Sequence, residues 1–365
     1  MKNLLIIEGR ETIGGGQIVT KKICDVLSDK YNLGVFLPGD NNTPLSKLLV
    51  SYRLIHFRYH EYSRGKKKII DFFWFLLNAL TFIKIHRVIK KEKFSIIYIQ
   101  HTSMLPLVLM GSIGLDVKIV IHKHIFWGDK RVLWLANKLM KTNKVKLIFG
   151  VSDYCLSQLD PVLFTKCKLL YNPVDILECH KQNERSRAIA IIGDVVPVKG
   201  QHLLLEAVSM LNEEYVVHII GNIVDINYIN RMRNEFPMVD VIFTGMILDV
   251  PSYCENNSID LVVIASCSSF ETFSLAMVEA WSQGIPTIAT KDFGMKELVD
   301  KFFKKYQKFM LFEMNNALDL SSKIDVLESD EVLYNNISKE IMDVAHNKFN
   351  IHNFSAQLTR TLEKL

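Results

Sequence analysis

The chain has 365 residues, 49% of them hydrophobic and 23% charged, with a formal net charge of +5. At ~150 residues per domain this length fits two domains, each large enough to bury its own core. Nine prolines and 17 glycines exclude collagen-like and low-complexity chains, and so small a positive excess, with no recognised nucleic-acid fold, argues against nucleic acid as a partner.

Mean hydropathy is +0.14, high enough to ask whether a segment crosses a membrane. The longest near-apolar run, residues 69–83, carries Asp71 and Asn78 and falls short of the ~20 residues that a spanning helix needs. Residues 1–7 (MKNLLII) lack the basic region, long apolar stretch and cleavage site of a secretory signal, so a cytoplasmic location is expected. The six cysteines (Cys24, Cys155, Cys167, Cys179, Cys254 and Cys267) form no CxxC pair. Neither a disulfide framework nor a zinc site is expected from them.

In chain order, short β-rich runs alternate with longer amphipathic ones. Residues 3–8 read as a strand, Gly14-Gly15-Gly16 as a break and residues 17–30 as a helix. A strand at 33–37 ends at Pro38-Gly39-Asp40. Arg64, Lys66, Lys67 and Lys68 then precede the apolar run, and Lys84, Arg87, Lys90, Lys91 and Lys93 follow it. An apolar, aromatic face rimmed by cations suits an anionic membrane interface, so residues 64–93 are a candidate peripheral contact with the inner face of the membrane. A buried core helix with polar ends is an equal reading. Strands are expected at 95–100, 117–122 and 146–151, with Ser152 capping a helix at 153–159.

After the polar stretch 178–187 the alternation restarts: strands at 188–193, 215–221, 239–244, 260–265 and 285–290, and a helix at 201–211. A helix from Ser274 stops at Gly284, as a left-handed terminal glycine would make it. Residues 350–365 read as one amphipathic helix with Phe354, Leu358, Leu362 and Leu365 on one face. This pattern predicts an α/β fold of two doubly wound parallel sheets. The expected division is residues 1–175 together with the terminal segment 345–365, and residues 186–344.

Ligands of such units sit beyond the carboxyl ends of the strands, at helix N-termini. That places the loop 266–273 and the first amides of the following helix, at Ser274, Leu275 and Ala276, where a phosphate would bind. Glu271 and Glu279 flank this point. Lys199-Gly200, at another helix start, offers a cation and amides together.

These residues carry a resemblance. Glu271-Thr-Phe-Ser-Leu-Ala-Met-Val-Glu279-Ala, followed by Gln283-Gly284-Ile-Pro286, resembles the E-x7-E motif of retaining GT-B glycosyltransferases of family 4, the glycosyl transferases group 1. Ile192-Gly193-Asp194 through Lys199-Gly200 looks like that family's donor-phosphate loop, and Gly14-Gly15-Gly16 its N-terminal glycine loop. Tyr171-Asn172-Pro173-Val174-Asp175 is similar to its interdomain signature. The likeness is good over residues 95–300 and patchy over 40–90.

The resemblance implies two Rossmann-like domains facing a cleft, a last helix crossing back to the first domain, and transfer of a sugar from a nucleoside diphosphate donor with retention. It implies contacts of Glu271 with the donor sugar, Glu279 with the ribose, and Lys199 with the diphosphate. Amides from Phe273 to Ala276 would hold the β-phosphate, Gly15 and Gly16 would admit the same phosphates, and His122 would stand beside the reacting sugar. His124 competes for that last place, and His101, after the strand 95–100, is a candidate to line the acceptor cleft. Met246 and Ile247, after the strand 239–244, are where base contacts are expected. No cofactor and no metal are expected, since no D-x-D motif is present. The expected acceptor is a glycan or lipid-linked glycan, by analogy one of capsule, O-antigen or lipopolysaccharide synthesis.

Asp194 departs from the family pattern, which has arginine there. A carboxylate near a diphosphate is repulsive, which leaves an inactive scaffold as one alternative. An NAD-dependent oxidoreductase is another, suggested by the triple glycine and Asp40, although G-x-G-x-x-G is absent.

Overall fold

The computed structural model of the protein describes residues 1–58, 80–176 and 185–365. The basic cluster at 64–68, most of the apolar run 69–83, Cys179 and most of the polar stretch 178–187 lie outside the described residues. The chain divides into two compact units, Met1–Tyr171 with Ser355–Leu365, and Asn172–Phe354.

The first unit is built on seven strands: β1 (Lys2–Ile7), β2 (Tyr31–Pro38), β3 (Arg53–Phe57), β4 (Ile96–Ile99), β5 (Lys118–Lys123), β6 (Val145–Gly150) and β7 (Cys167–Leu169). Their order is β3-β2-β1-β4-β5-β6-β7, and each neighbouring pair is parallel. Leu4, Leu5, Ile6 and Ile7 of β1 are all fully buried. A central parallel strand has both faces covered by crossover helices, so its sequence is continuously apolar rather than alternating. Ile6 registers with Val35 on one side and Tyr98 on the other.

The second unit carries six strands: β8 (Ala188–Ile192), β9 (Val216–Ile220), β10 (Asp240–Gly245), β11 (Ile259–Ile264), β12 (Thr287–Thr290) and β13 (Leu311–Phe312). Their order is β10-β9-β8-β11-β12-β13, again parallel throughout. In both sheets the chain first winds to one side and then to the other. The turning points lie between β1 and β4 and between β8 and β11, where doubly wound sheets open a crevice. The fold class is the one expected from the alternation. Three strands were not anticipated, β3, β7 and β13, and all three are sheet edges.

Local signals hold. Ser152 accepts from the amide of Cys155 at 2.9 Å and caps the helix Asp153–Ser157. Gly284 has φ +72° and its carbonyl accepts from Ser338 Oγ at 2.6 Å. The last helix runs Ile351–Glu363. Its residues from Ser355 onward belong to the first unit, where Gln357 Nε2 donates to the carbonyl of Leu169 at 2.5 Å and Lys30 pairs with Glu363 at 2.8 Å. Among the described residues no helix is long and apolar enough to cross a membrane.

Trp281 anchors the second unit's core. It is fully buried, packs edge-on against Phe303 at 4.9 Å and donates from Nε1 to Thr287 Oγ1 at 2.8 Å. Its truncation leaves a large cavity and an unpaired hydroxyl. Trp281→Ala is expected to cost about 3–5 kcal/mol, measured by urea unfolding; a loss under about 1 kcal/mol would contradict this packing.

Candidate functional site

The second unit's site forms where β8 and β11 end side by side. After β8 the chain makes one turn of 3-10 helix, Pro197–Lys199, and enters the helix Gln201–Ser209 through Gly200. Gly200 has φ +76°, and a Cβ there would collide with the carbonyl of Ala265 just past β11. Only glycine satisfies both conditions. The amide of Cys267 then donates to the carbonyl of Val198 at 3.0 Å, so the two loops are fastened by backbone. This approach sets Lys199 Nζ at 2.5 Å from Glu271 Oε2, and Ser266 Oγ donates to the same oxygen at 3.2 Å.

The loop continues into the helix Leu275–Ser282, with Ser274 accepting from the amide of Met277 at 3.3 Å. Phe273 and Ser274 are buried, whereas Leu275 and Ala276 are half-buried. Their amides belong to the first turn, where no earlier carbonyl of the helix can accept from them and the peptide dipoles add as positive charge. A clamp from the next crossover holds the loop from behind. Phe293 takes φ +60°, Gly294 donates its amide to the carbonyl of Glu271 at 3.1 Å, and a Cβ on Gly294 would strike the carbonyl of Thr272. A non-glycine residue held at positive φ marks a conformation imposed by its surroundings.

Of the residues expected on this side, the structure thus gathers Lys199, Glu271 and the helix start at Ser274–Ala276. Glu279 sits one turn further along the same helix, half-buried. Met246 and Ile247 follow β10, two strands away from β8, with Met246 half-exposed at the sheet edge. Asp194 is exposed, and its carbonyl accepts from Gln201 Nε2 at 3.0 Å. Ser266 and Gly294 were missed. The loop spacing around Glu271 hints at the first; the second comes from a different crossover and left no local signal.

In the first unit the helix Gly15–Ser28 starts at Gly14 without a side-chain cap. Gly14 and Gly15 are exposed, and a Cβ on Gly16 would meet nothing within 4 Å. Among the described residues no atom therefore demands glycine at position 16.

The two candidate histidines at the end of β5 differ in burial. Alternation along β5 puts His122 and His124 on the same face, but His122 is fully buried, one layer below the sheet edge. Its Nδ1 bonds the hydroxyl of Tyr98 at 3.0 Å, and its ring lies 4.1 Å from that of His124. His124, just past the strand end, is half-buried and bonds Gln100 Oε1 through Nε2 at 2.8 Å. Neighbouring His101 bonds Ser103 Oγ at 2.6 Å. Burial, which disfavours the imidazolium, pulls His124 down to about 3 and His101 down to about 4, and holds His122 well below the usual range.

Two buried charges here also escaped the sequence reading. Lys123 donates to the carbonyls of Ile125 and Cys155 at 2.6 and 2.8 Å and to Gln158 Oε1 at 2.6 Å, with Trp127 4.3 Å beneath. It fixes the loop that carries His124. Glu8, at the end of β1, accepts from the Gly9 amide at 2.8 Å and from Thr20 Oγ1 at 3.0 Å, tying strand to helix. An ionisable residue directly after the apolar run 4–7 is the signal that could have found Glu8; nothing comparable marks Lys123, which follows His122.

Two Rossmann-like units with functional groups at the carboxyl ends of their strands define a GT-B fold. Residues 13–177 match the family model described as Glycosyltransferase Family 4, and residues 176–343 match that of Glycosyl transferases group 1. The chain belongs to this group 1 glycosyltransferase family, which displaces the oxidoreductase alternative. It is similar throughout its length to the Anabaena protein HepE, solved in complex with UDP and glucose, with a TM-score of 0.82 and 19% identity over 100% of both chains. It also matches the lipopolysaccharide outer core galactosyltransferase WaaB, with a TM-score of 0.72 and 17% identity over 100% of both chains. An uncharacterized 41.2 kDa protein in the cps region of Klebsiella pneumoniae is 22% identical over 73% of this chain and 78% of that protein.

The histidine cluster makes stability depend on pH. The unfolded chain takes up protons on these side chains as pH falls through about 6.5, whereas the native unit does not until about pH 4. Stability thus declines on acidification across this window, by up to about 1.4 kcal/mol per pH unit for each histidine. Urea unfolding at pH 7, 6 and 5 should show the decline, and His101→Asn should reduce its slope. An unchanged slope would show that His101 is protonated in the native protein.

Proposed function

We propose that this protein is a metal-independent, retaining glycosyltransferase that moves a sugar from a nucleoside diphosphate sugar to a glycan or lipid-linked acceptor in cell-surface polysaccharide synthesis. The observation that carries the reading is the meeting of Lys199, Glu271 and the helix start at Leu275–Ala276 at the β8/β11 turning point. Departure of the leaving group builds negative charge on the diphosphate. Lys199 Nζ and the first-turn amides are donors already oriented toward such charge, the arrangement that lowers a barrier most effectively. Lys199 is held by Glu271 and Ser266 and has a partner to exchange. When the diphosphate takes the ammonium, Glu271 turns to the sugar hydroxyls. Glu279 serves the ribose, Met246 and Ile247 the base, and Gly15 and Gly16 the phosphates on the first unit's side. The acceptor attacks on the face from which the diphosphate leaves, so no protein nucleophile is required, and no cofactor either.

In the first unit the role first given to His122 passes to His124. A neutral imidazole on a fixed loop can accept a hydrogen bond from a sugar hydroxyl. HepE, solved with UDP and glucose, supports a UDP-sugar as donor, and WaaB and the cps-region protein support a surface polysaccharide as product. A cytoplasmic site of action beside the membrane fits such an acceptor.

Asp194 favours a second reading, a scaffold that binds donor without transferring it. Thermal shift against UDP, GDP, ADP, CMP and NAD, followed by donor turnover, separates the two. Stabilisation by one nucleoside diphosphate with turnover is expected; binding without turnover would leave the scaffold, and a response to NAD alone would overturn both. Lys199→Ala should lower kcat by about 10²–10³ while leaving the unfolding midpoint within a few degrees. Wild-type turnover in that variant would refute the site.

A further inference from the structure

The helix Lys130–Met140 (KRVLWLANKLM) follows β5 by way of the loop that carries His124. Its inner face is complete: Leu133, Ala136 and Leu139 pack against the first unit's core, and Met140 is fully buried. Its outer face is unusual for a helix exposed to water. Trp134 is 64% exposed, Val132 49% and Leu135 46%.

At the spacing of an α-helix, Lys130, Trp134 and Lys138 form one row and Arg131 and Leu135 the adjacent one. Lys138 Nζ lies 5.2 Å from the centre of the Trp134 ring. The helix itself contains no acidic residue. Of the flanking carboxylates, Asp129 caps the helix by accepting from the amides of Arg131 and Val132 and Asp160 pairs with Lys141 at 2.5 Å. The helix Leu105–Gly111 packs beside it, and exposed Met110 and Ile113 add apolar surface there.

The structure assigns this outer face as a docking surface for an anionic lipid bilayer. A tryptophan and two aliphatic side chains flanked by Lys130, Arg131 and Lys138 match an interface that is apolar below and negatively charged at headgroup level. An acidic protein would satisfy the cations but leave Trp134 and Leu135 against a polar surface. A second copy would bring the same cations face to face. The surface is distinct from residues 64–93 and does not depend on the donor reading.

The test is sedimentation of the full chain with vesicles of phosphatidylcholine, with and without phosphatidylglycerol. Wild type should partition onto the anionic vesicles only. Arg131→Glu with Lys138→Glu, and separately Trp134→Ala with Leu135→Ala, should each reduce that partitioning by roughly ten-fold or more, given about 1 kcal/mol per basic residue near such a surface. Lys66→Glu with Lys67→Glu is the comparator. The four helix side chains changed here are exposed, and circular dichroism checks the fold of every variant. Quenching of Trp134 fluorescence by brominated lipid, compared between wild type and Trp134→Phe, reports contact without disturbing the charges. The proposal fails if binding survives both helix variants, if only the Lys66/Lys67 variant loses it, if brominated lipid leaves Trp134 unquenched, or if Trp134→Ala instead abolishes a concentration-dependent dimer seen by light scattering.

Discussion

The loop cluster of the second unit depends on one close approach, that of Gly200 to the carbonyl of Ala265. Parallel strands all end on the same side of their sheet, which brings the loops after β8 and β11 into the same neighbourhood but does not by itself join them. The missing Cβ and the left-handed backbone at Gly200 let the first loop lie directly against the second. From that contact follow the Cys267–Val198 hydrogen bond, the reach of Lys199 to Glu271 and the alignment of the helix Leu275–Ser282 beside both. Gly294 repeats the device from the opposite side, pressing the next crossover against Thr272. Two glycines on two crossovers thus hold one loop between them.

The Lys199–Glu271 pair is as much an electrostatic statement as a geometric one. Partly buried opposite charges tolerate their desolvation because each satisfies the other, and Ser266 adds a hydrogen bond to the shared oxygen. Such a pair contributes little net stability. Its value lies in holding a cation in position without committing it. Asp194, exposed on the same loop, reduces the local positive charge around Lys199.

What was legible in the sequence follows from burial. Central strands such as β1, β4 and β11 are covered on both faces and read as largely apolar runs, so they were found within a residue or two. β3, β7 and β13 lie at sheet edges, where one flank needs no partner and a mixed sequence such as Arg53–Phe57 suffices. Ser152 and Gly284 were readable because capping is a local property of the backbone. His122 and His124 show where periodicity stops short: two residues apart on a strand, they share a face, and only the position of the sheet edge decides which is covered. That edge is set by β6 and the loop after β5, far from any local pattern. Lys123 was illegible for the same reason, because its three acceptors come from Ile125, Cys155 and Gln158.

The last helix has a bearing on how the protein comes into being. Leu358 and Leu362 are wholly enclosed in the first unit, yet they are synthesised after every residue of the second. On the ribosome the first unit therefore emerges with an open apolar seam, and it stays open while roughly half of the chain is still being made. Of the two units, the one made first is thus the one that closes last.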